Sequence, residues 1–142
     1  MINFLNLLWP QAPTIPVSIV LWTSQNRRSY PIPLSNLPFV VETAQKLDSD
    51  GRNVYFSTCA MSPDRVNDVR RGNKEDVVGV PGFWVDVDIL GGAHKSKDLP
   101  ENLEEALRLL DSFEYTPTML VNSGYGLHAW YLFDTPYFFS RG

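Results

Sequence analysis

Phe83-Trp84-Val85-Asp86-Val87-Asp88-Ile89 is a run of aromatic and β-branched residues bounded by Pro81-Gly82 and Gly91-Gly92, and it reads as a buried strand. Two aspartates interrupt it at positions i and i+2. Side chains alternate faces along a strand, which puts Asp86 and Asp88 on one face and Val85, Val87 and Ile89 on the other. The two aspartate Cα atoms would stand roughly 6.5 Å apart, so both carboxylates can converge on one metal ion or on a close metal pair. Two like charges side by side in an apolar strand are costly unless a cation or hydrogen bonds neutralise them. The pair is therefore a candidate metal site.

Downstream, a loop over 91–100 leads to Pro100-Glu101-Asn102, which opens a helix with acidic residues in its first turn. Its apolar positions are Leu103, Ala106, Leu107, Leu109 and Leu110. Residues 118–122 read as a strand, Gly124-Tyr125-Gly126 as a tight turn and 127–133 as the returning strand. This β-α-β-β order is about half of a ferredoxin-like or RNA-recognition-type unit, which needs another helix and strand to close. Gly124 and Gly126 let a backbone approach a ligand and can present amide N–H groups to an anion. Ser123 adds a hydroxyl, and His128 shares a strand face with Trp130. Asp134, beside Thr135-Pro136, reads as a turn residue.

Upstream, residues 2–8 read as a short amphipathic helix ended by Pro10, and 17–22 as a strand. Residues 37–47 read as a helix with Val40, Val41, Ala44 and Leu47 inward, and 53–59 as a second strand. Residues 60–80 hold Pro63, Gly72 and Gly79 among charges and read as a long loop with at most a helical turn. The expected class is α/β (α+β), with an N-terminal module over 1–80 and a second, incomplete module over 81–142. Trp22, Trp84 and Tyr131 are assigned to the core. Trp130 is assigned to packing as well, with base stacking as its functional alternative.

With 44% hydrophobic and 20% charged residues, the 142-residue chain is neither disordered nor a coiled coil. A net charge of −4 excludes bulk attraction to nucleic acid, so any basic surface is local. Arg65, Arg70, Arg71 and Lys74 form one such cluster, and Lys95 and Lys97, beside His94, form another. Of these, Arg71 and Lys74 are candidate phosphate contacts, while His94, Lys95 and Lys97 read as exposed loop charges. The lone Cys59 excludes an internal disulfide, fits a reducing compartment and reads as a small buried residue. Pro10, Pro13 and Pro16 break the apolar N-terminus well short of the roughly 18 residues a membrane helix needs. A cytoplasmic protein without a membrane partner is expected.

Residues 83–88, the Gly-Gly-x-His-Lys-x-Lys-Asp-Leu-Pro segment at 91–100 and residues 122–131 together resemble the archaeo-eukaryotic primase superfamily, and most closely the primase-polymerase domains of phages and plasmids. Phe4 to Trp9, Leu21-Trp22-Thr23 and Arg71-Gly72-Asn73-Lys74-Glu75-Asp76-Val77 extend the resemblance over nearly all of the chain. It implies a primase-like core whose C-terminal part is the start of an RNA-recognition-type catalytic sheet. It further implies that Asp86 and Asp88 bind the catalytic Mg²⁺ or Mn²⁺ of a two-metal site. Ser123 and His128, with Gly124 and Gly126 in the turn, would contact the incoming nucleotide's triphosphate. The implied activity is that of a DNA primase and DNA polymerase in replication. The implied partners are nucleoside triphosphates, single-stranded DNA template and primer, and a helicase region in the full-length protein.

Members of that superfamily carry a third acidic residue on a later strand. Asp134 is out of place for that role, so the chain reads as the front part of the core. A non-catalytic nucleotide- or nucleic-acid-binding replication module with a similar fold is the alternative. Nucleases and sugar transferases that use Asp-x-Asp leave the Ser123–His128 hairpin unexplained. His94 and His128 are too far apart for the His-x-His metal site of a nickase.

Overall fold

The computed structural model describes residues 1–91 and 98–139; the loop charges His94, Lys95 and Lys97 lie outside the described residues. Its elements are α1 (Ile2–Leu8), β1 (Ser18–Thr23), β2 (Arg28–Pro33), α2 (Leu37–Ser49), β3 (Val54–Phe56), β4 (Ala60–Met61), β5 (Val77–Asp88), α3 (Leu103–Asp111), β6 (Met119–Asn122) and β7 (Gly126–Phe138). The seven strands pair in the order β2-β1-β4-β5-β7-β6, with β3 also on β1. The class is mixed α and β on an antiparallel sheet. Two compact units emerge, one of residues 1–81 with 136–142 and one of 82–135. Among the described residues no helix is long and apolar enough to cross a membrane.

In the first unit, β1 and β2 form a hairpin running from Ser18 opposite Pro33 to Thr23 opposite Arg28. The turn is closed by Asn26, whose side-chain oxygen accepts from the Thr23 hydroxyl at 2.5 Å and from the Arg28 N–H at 3.2 Å. Pro31 and Pro33 hid β2 in the sequence. An edge strand tolerates them because its outer N–H positions need no partner. Helix α2 starts where the Asn36 side chain accepts from the Phe39 N–H, and it buries Leu37, Val40, Ala44 and Leu47. Leu37, rather than Val41, completes its inner face. Leu5 and Leu8 of α1, Ile19 and Leu21 of β1 and Ile32 of β2 are likewise buried.

The strand expected over 53–59 is two short ones, because Ser57 redirects the backbone between them. Its hydroxyl accepts from the Val20 N–H at 3.0 Å and donates to the Cys59 carbonyl at 2.9 Å. Cys59 itself is only half-buried.

Residues 62–76, expected as loop, are organised around the fully buried side chain of Asp76. Arg70 donates to both its carboxylate oxygens at 3.3 and 3.0 Å, the Asn73 N–H donates to one at 3.0 Å, and Arg65 stands 3.7 Å away. The Asp76 carbonyl accepts from the Ser62 N–H at 2.9 Å, fastening both ends of the segment. Burial pushes this carboxyl up, but the Asn73 N–H and the Arg70 and Arg65 guanidiniums outweigh it and hold it below its ordinary value. Strand β5 follows at once. Its first residues pair with β4, Met61 against Val77 and Ala60 against Gly79, so the strand begins well before Phe83.

The second unit comprises β5 from Gly82, α3, β6 and β7 up to Thr135. Helix α3 is capped by Asn102, which accepts from the Glu105 N–H at 3.0 Å. It buries Ala106 and Leu110 against Val87, Leu127, Ala129 and Tyr131, and Ile89 packs on that cluster. Strands β6 and β7 form a hairpin with Asn122 opposite Leu127 and Met119 opposite Trp130. Strand β7 does not stop at Phe133. Asp134 is an exposed strand residue rather than a turn residue, and β7 continues past Pro136 to Phe138.

Two expected outcomes test this packing. Asp76→Asn should lower Tm at neutral pH. A depressed folded-state pKa means that the stabilisation is present above the unfolded value of about 3.9 and is lost as pH falls through the folded value. The Tm gap between native chain and variant should therefore hold down to about pH 5 and narrow below about pH 4, read by calorimetry. On α3, Leu110→Ala should cost about 2–5 kcal/mol in urea unfolding. Leu109→Ala, at a position 54% exposed, should change stability by no more than about 0.5 kcal/mol.

Candidate functional site

Strands β5 and β7 are neighbours, and two glycines set how closely they run. A Cβ on Gly82 would collide with the Tyr131 carbonyl oxygen and the Leu132 Cα, and one on Gly126 with the Val87 carbonyl oxygen and the Asp88 Cα. Gly82 thus lies beside Leu132 and Gly126 beside Asp88, with the two strands running in opposite directions. This register puts Asp86 across from His128 and Trp84 across from Trp130. The contacts agree: the Trp84 ring centroid is 5.2 Å from that of His128 and 5.7 Å from that of Trp130, stacked on the latter.

Alternation then sorts the two faces. Val87, Ile89, Leu127, Ala129 and Tyr131 turn toward α3, and Phe83 stacks on Tyr131 at 4.9 Å. Val85, expected among them, is 41% exposed and stands outside the cluster packed under α3. The other face carries Trp84, Asp86, Asp88, His128 and Trp130. His128 Nε2 stands 3.6 Å from Asp86 Oδ1, too far for a hydrogen bond and close enough for an ion pair when the imidazole is protonated. The two side chains are 33% and 46% exposed, so this part of the face is open to a ligand, whereas Trp130 further along it is buried. Trp84, assigned to the core from its apolar neighbours, belongs to this face. Counting in twos from Asp86 would have placed it there.

The turn between β6 and β7 is held from within. Gly124, at φ +87°, donates its N–H to the Asn122 side-chain oxygen at 2.8 Å. The Tyr125 N–H donates to Ser123 Oγ at 3.3 Å. Ser123 donates its N–H and its hydroxyl to the Gly126 carbonyl at 3.0 and 3.2 Å. The Gly124 amide, expected to face an anion, is thus satisfied inside the turn, as is that of Tyr125. The Tyr125 carbonyl accepts from the Ile89 N–H at 3.0 Å, which fastens the turn to the end of β5. Gly126 is required by its closeness to β5, a reason the sequence does not disclose.

Arg71 and Lys74 belong to the other unit. The Arg71 guanidinium lies 4.8 Å above the Trp22 ring, and the Lys74 ammonium is 3.8 Å from the Glu75 carboxylate. Of the basic cluster, Arg65 and Arg70 hold Asp76.

Two carboxylates on one open strand face suit a hard cation such as Mg²⁺ or Mn²⁺, which takes oxygen ligands and leaves its other positions to water and phosphate. Among the described residues no group of three or more His, Cys, Asp and Glu side chains is placed to hold a metal. Asp86 and Asp88 would therefore rely on ligand oxygens to complete the coordination.

The two glycines of the turn should respond differently to a side chain. Gly124→Ala has open space for its Cβ, so it should cost about 1 kcal/mol from left-handed backbone strain alone, and Gly124→Asn less. Gly126→Ala should cost more. It should also alter the near-ultraviolet circular dichroism of the Trp84–Trp130 pair, because β5 must move to admit the methyl group.

Compared with known protein families, characterised proteins and solved structures, the chain matches none.

Proposed function

We propose that the chain is part of the core of a divalent-metal-dependent nucleotidyltransferase of the primase-polymerase kind, adding nucleotides to a 3′-hydroxyl on a single-stranded template. One observation carries this reading: Asp86 and Asp88 share a strand face with His128, which lies directly across from Asp86 at 3.6 Å. The Ser123–Gly126 turn sits at the end of the same strand pair, tied to it through Ile89. Bound divalent cations would activate the hydroxyl and stabilise charge on the α-phosphoryl group and the leaving pyrophosphate. Asp86 and Asp88 would hold them. His128 can donate to a phosphate oxygen from the same face. Ser123 reaches a phosphate only by exchanging its bond to the Gly126 carbonyl, so nucleotide binding should reorder the turn. Nucleoside triphosphates and single-stranded DNA are the partners that this chemistry requires, and a cytoplasmic location is proposed with them.

Primer extension on single-stranded template with Mn²⁺, followed through pyrophosphate release, is the test. Asp86→Ala and Asp88→Ala should each slow extension by at least about 100-fold, the scale on which loss of a charge-stabilising group acts. Undiminished extension would remove the proposal. Calorimetric titration with a deoxynucleoside triphosphate isolates the binding step, which should require Mn²⁺ and disappear in the double variant. Binding indifferent to metal would favour a non-catalytic nucleotide-binding module.

A further inference from the structure

The unit of residues 1–81 and 136–142 carries a cleft of about 290 Å³ that the proposed chemistry does not use. Trp22 and Tyr55 form one wall. Pairing of β1 with β3 sets them directly opposite each other, with ring centroids 5.4 Å apart. Tyr55 is 52% exposed, so much of its ring remains uncovered. Phe56 beside it is already occupied, its ring packed edge-on against Phe4 at 5.7 Å. On the facing wall Arg71 lays its guanidinium over Trp22. Gly72 makes this placement possible. Its φ of +87° and the nearness of the Met61 and Val66 side chains leave no room for a Cβ.

Among the described residues, Arg71 is the only charged one lining the cleft. Of the neighbouring cations, Arg65 and Arg70 face Asp76, and Lys74 is largely exposed and lies outside the lining of the cleft. A guanidinium lying on an aromatic ring still turns its N–H edge outward, in the planar fork that suits a phosphate. The volume is at the low end for ligand sites, which run from about 300 to 1,000 Å³, and it suits a single ring system.

We propose that this cleft takes one base and its adjoining phosphate from a single strand of nucleic acid. The base stacks on Tyr55, and Arg71 binds the phosphodiester. One cation and no lining carboxylate match the single charge of a backbone phosphate. A free triphosphate, with several charges, would call for more cations than the cleft offers. Stacking tolerates any base, so the contact holds a strand without reading its sequence.

The test is fluorescence anisotropy of a labelled oligothymidylate of about ten nucleotides with the whole chain, in EDTA so that no metal-dependent site contributes. The oligonucleotide should bind, and dTTP should not compete with it. Tyr55→Ala and Arg71→Ala should each weaken binding at least about five-fold, and Tyr55→Phe should retain it. Circular dichroism establishes that the variants are folded. No binding, unchanged binding by folded Tyr55→Ala and Arg71→Ala chains, or displacement by dTTP would each overturn the assignment. Because Asp86 and Asp88 take no part, failure here would leave the nucleotidyltransferase reading standing, and the converse also holds.

Discussion

The close antiparallel pairing of β5 with β7 is the constraint on which the candidate site depends. Gly82 and Gly126 have no Cβ, and at both positions a methyl group would meet the neighbouring backbone. That closeness locks the register, and register decides which side chains share a face. A slip of one residue would carry the aspartates to the α3 side and the valines to the open side, burying two charges and exposing the core. With the observed register, Ala106 and Leu110 of α3 seal the apolar side, while Asp86 and His128 meet on the other.

Two kinds of carboxylate divide the labour in this chain. Asp76 is wholly buried, and a backbone N–H and two arginines balance its charge, so its role is to fasten the 62–76 segment ahead of β5. A buried charge matched in this way has little left to offer a ligand. Asp86 is about half exposed, with the His128 imidazole 3.6 Å away, and its oxygens are accessible to a cation. The basic cluster that looked like a phosphate surface is in large part the counter-charge of Asp76. What remains of it for an outside partner is Arg71 and the exposed Lys74.

Aromatic rings are likewise shared between core and surface. Tyr131 is buried under α3, whereas Trp84 and Tyr55 present open rings on their own units. For a chain with a net charge of −4, this matters physically. Attraction to a nucleic acid cannot come from a broad positive field, so it must come from stacking and from a few placed donors. Both proposed sites have that character: carboxylates that would hold a cation beside Trp84 in one unit, and a single guanidinium beside Tyr55 in the other.

Much of the frame was legible in the sequence because its signals are local. The 3.6-residue spacing and the Asn36 and Asn102 caps mark α2 and α3, the turn residues mark the β6–β7 hairpin, and the two-residue period puts Asp86 and Asp88 on one face. Strand β2 escaped because its prolines are acceptable only at a sheet edge, and being an edge is a property of the whole sheet. The extensions of β5 and β7 escaped because Pro81 and Pro136 look like stops until neighbouring strands are in place. The partner of Asp86 and the placing of Arg71 on Trp22 join residues far apart in the chain. Sequence alone determined which side chains could do chemistry and which face of each element they occupy. Tertiary structure decided which of them meet, because distance across a sheet depends on register and on the absence of a few Cβ atoms, and neither is written in any local pattern.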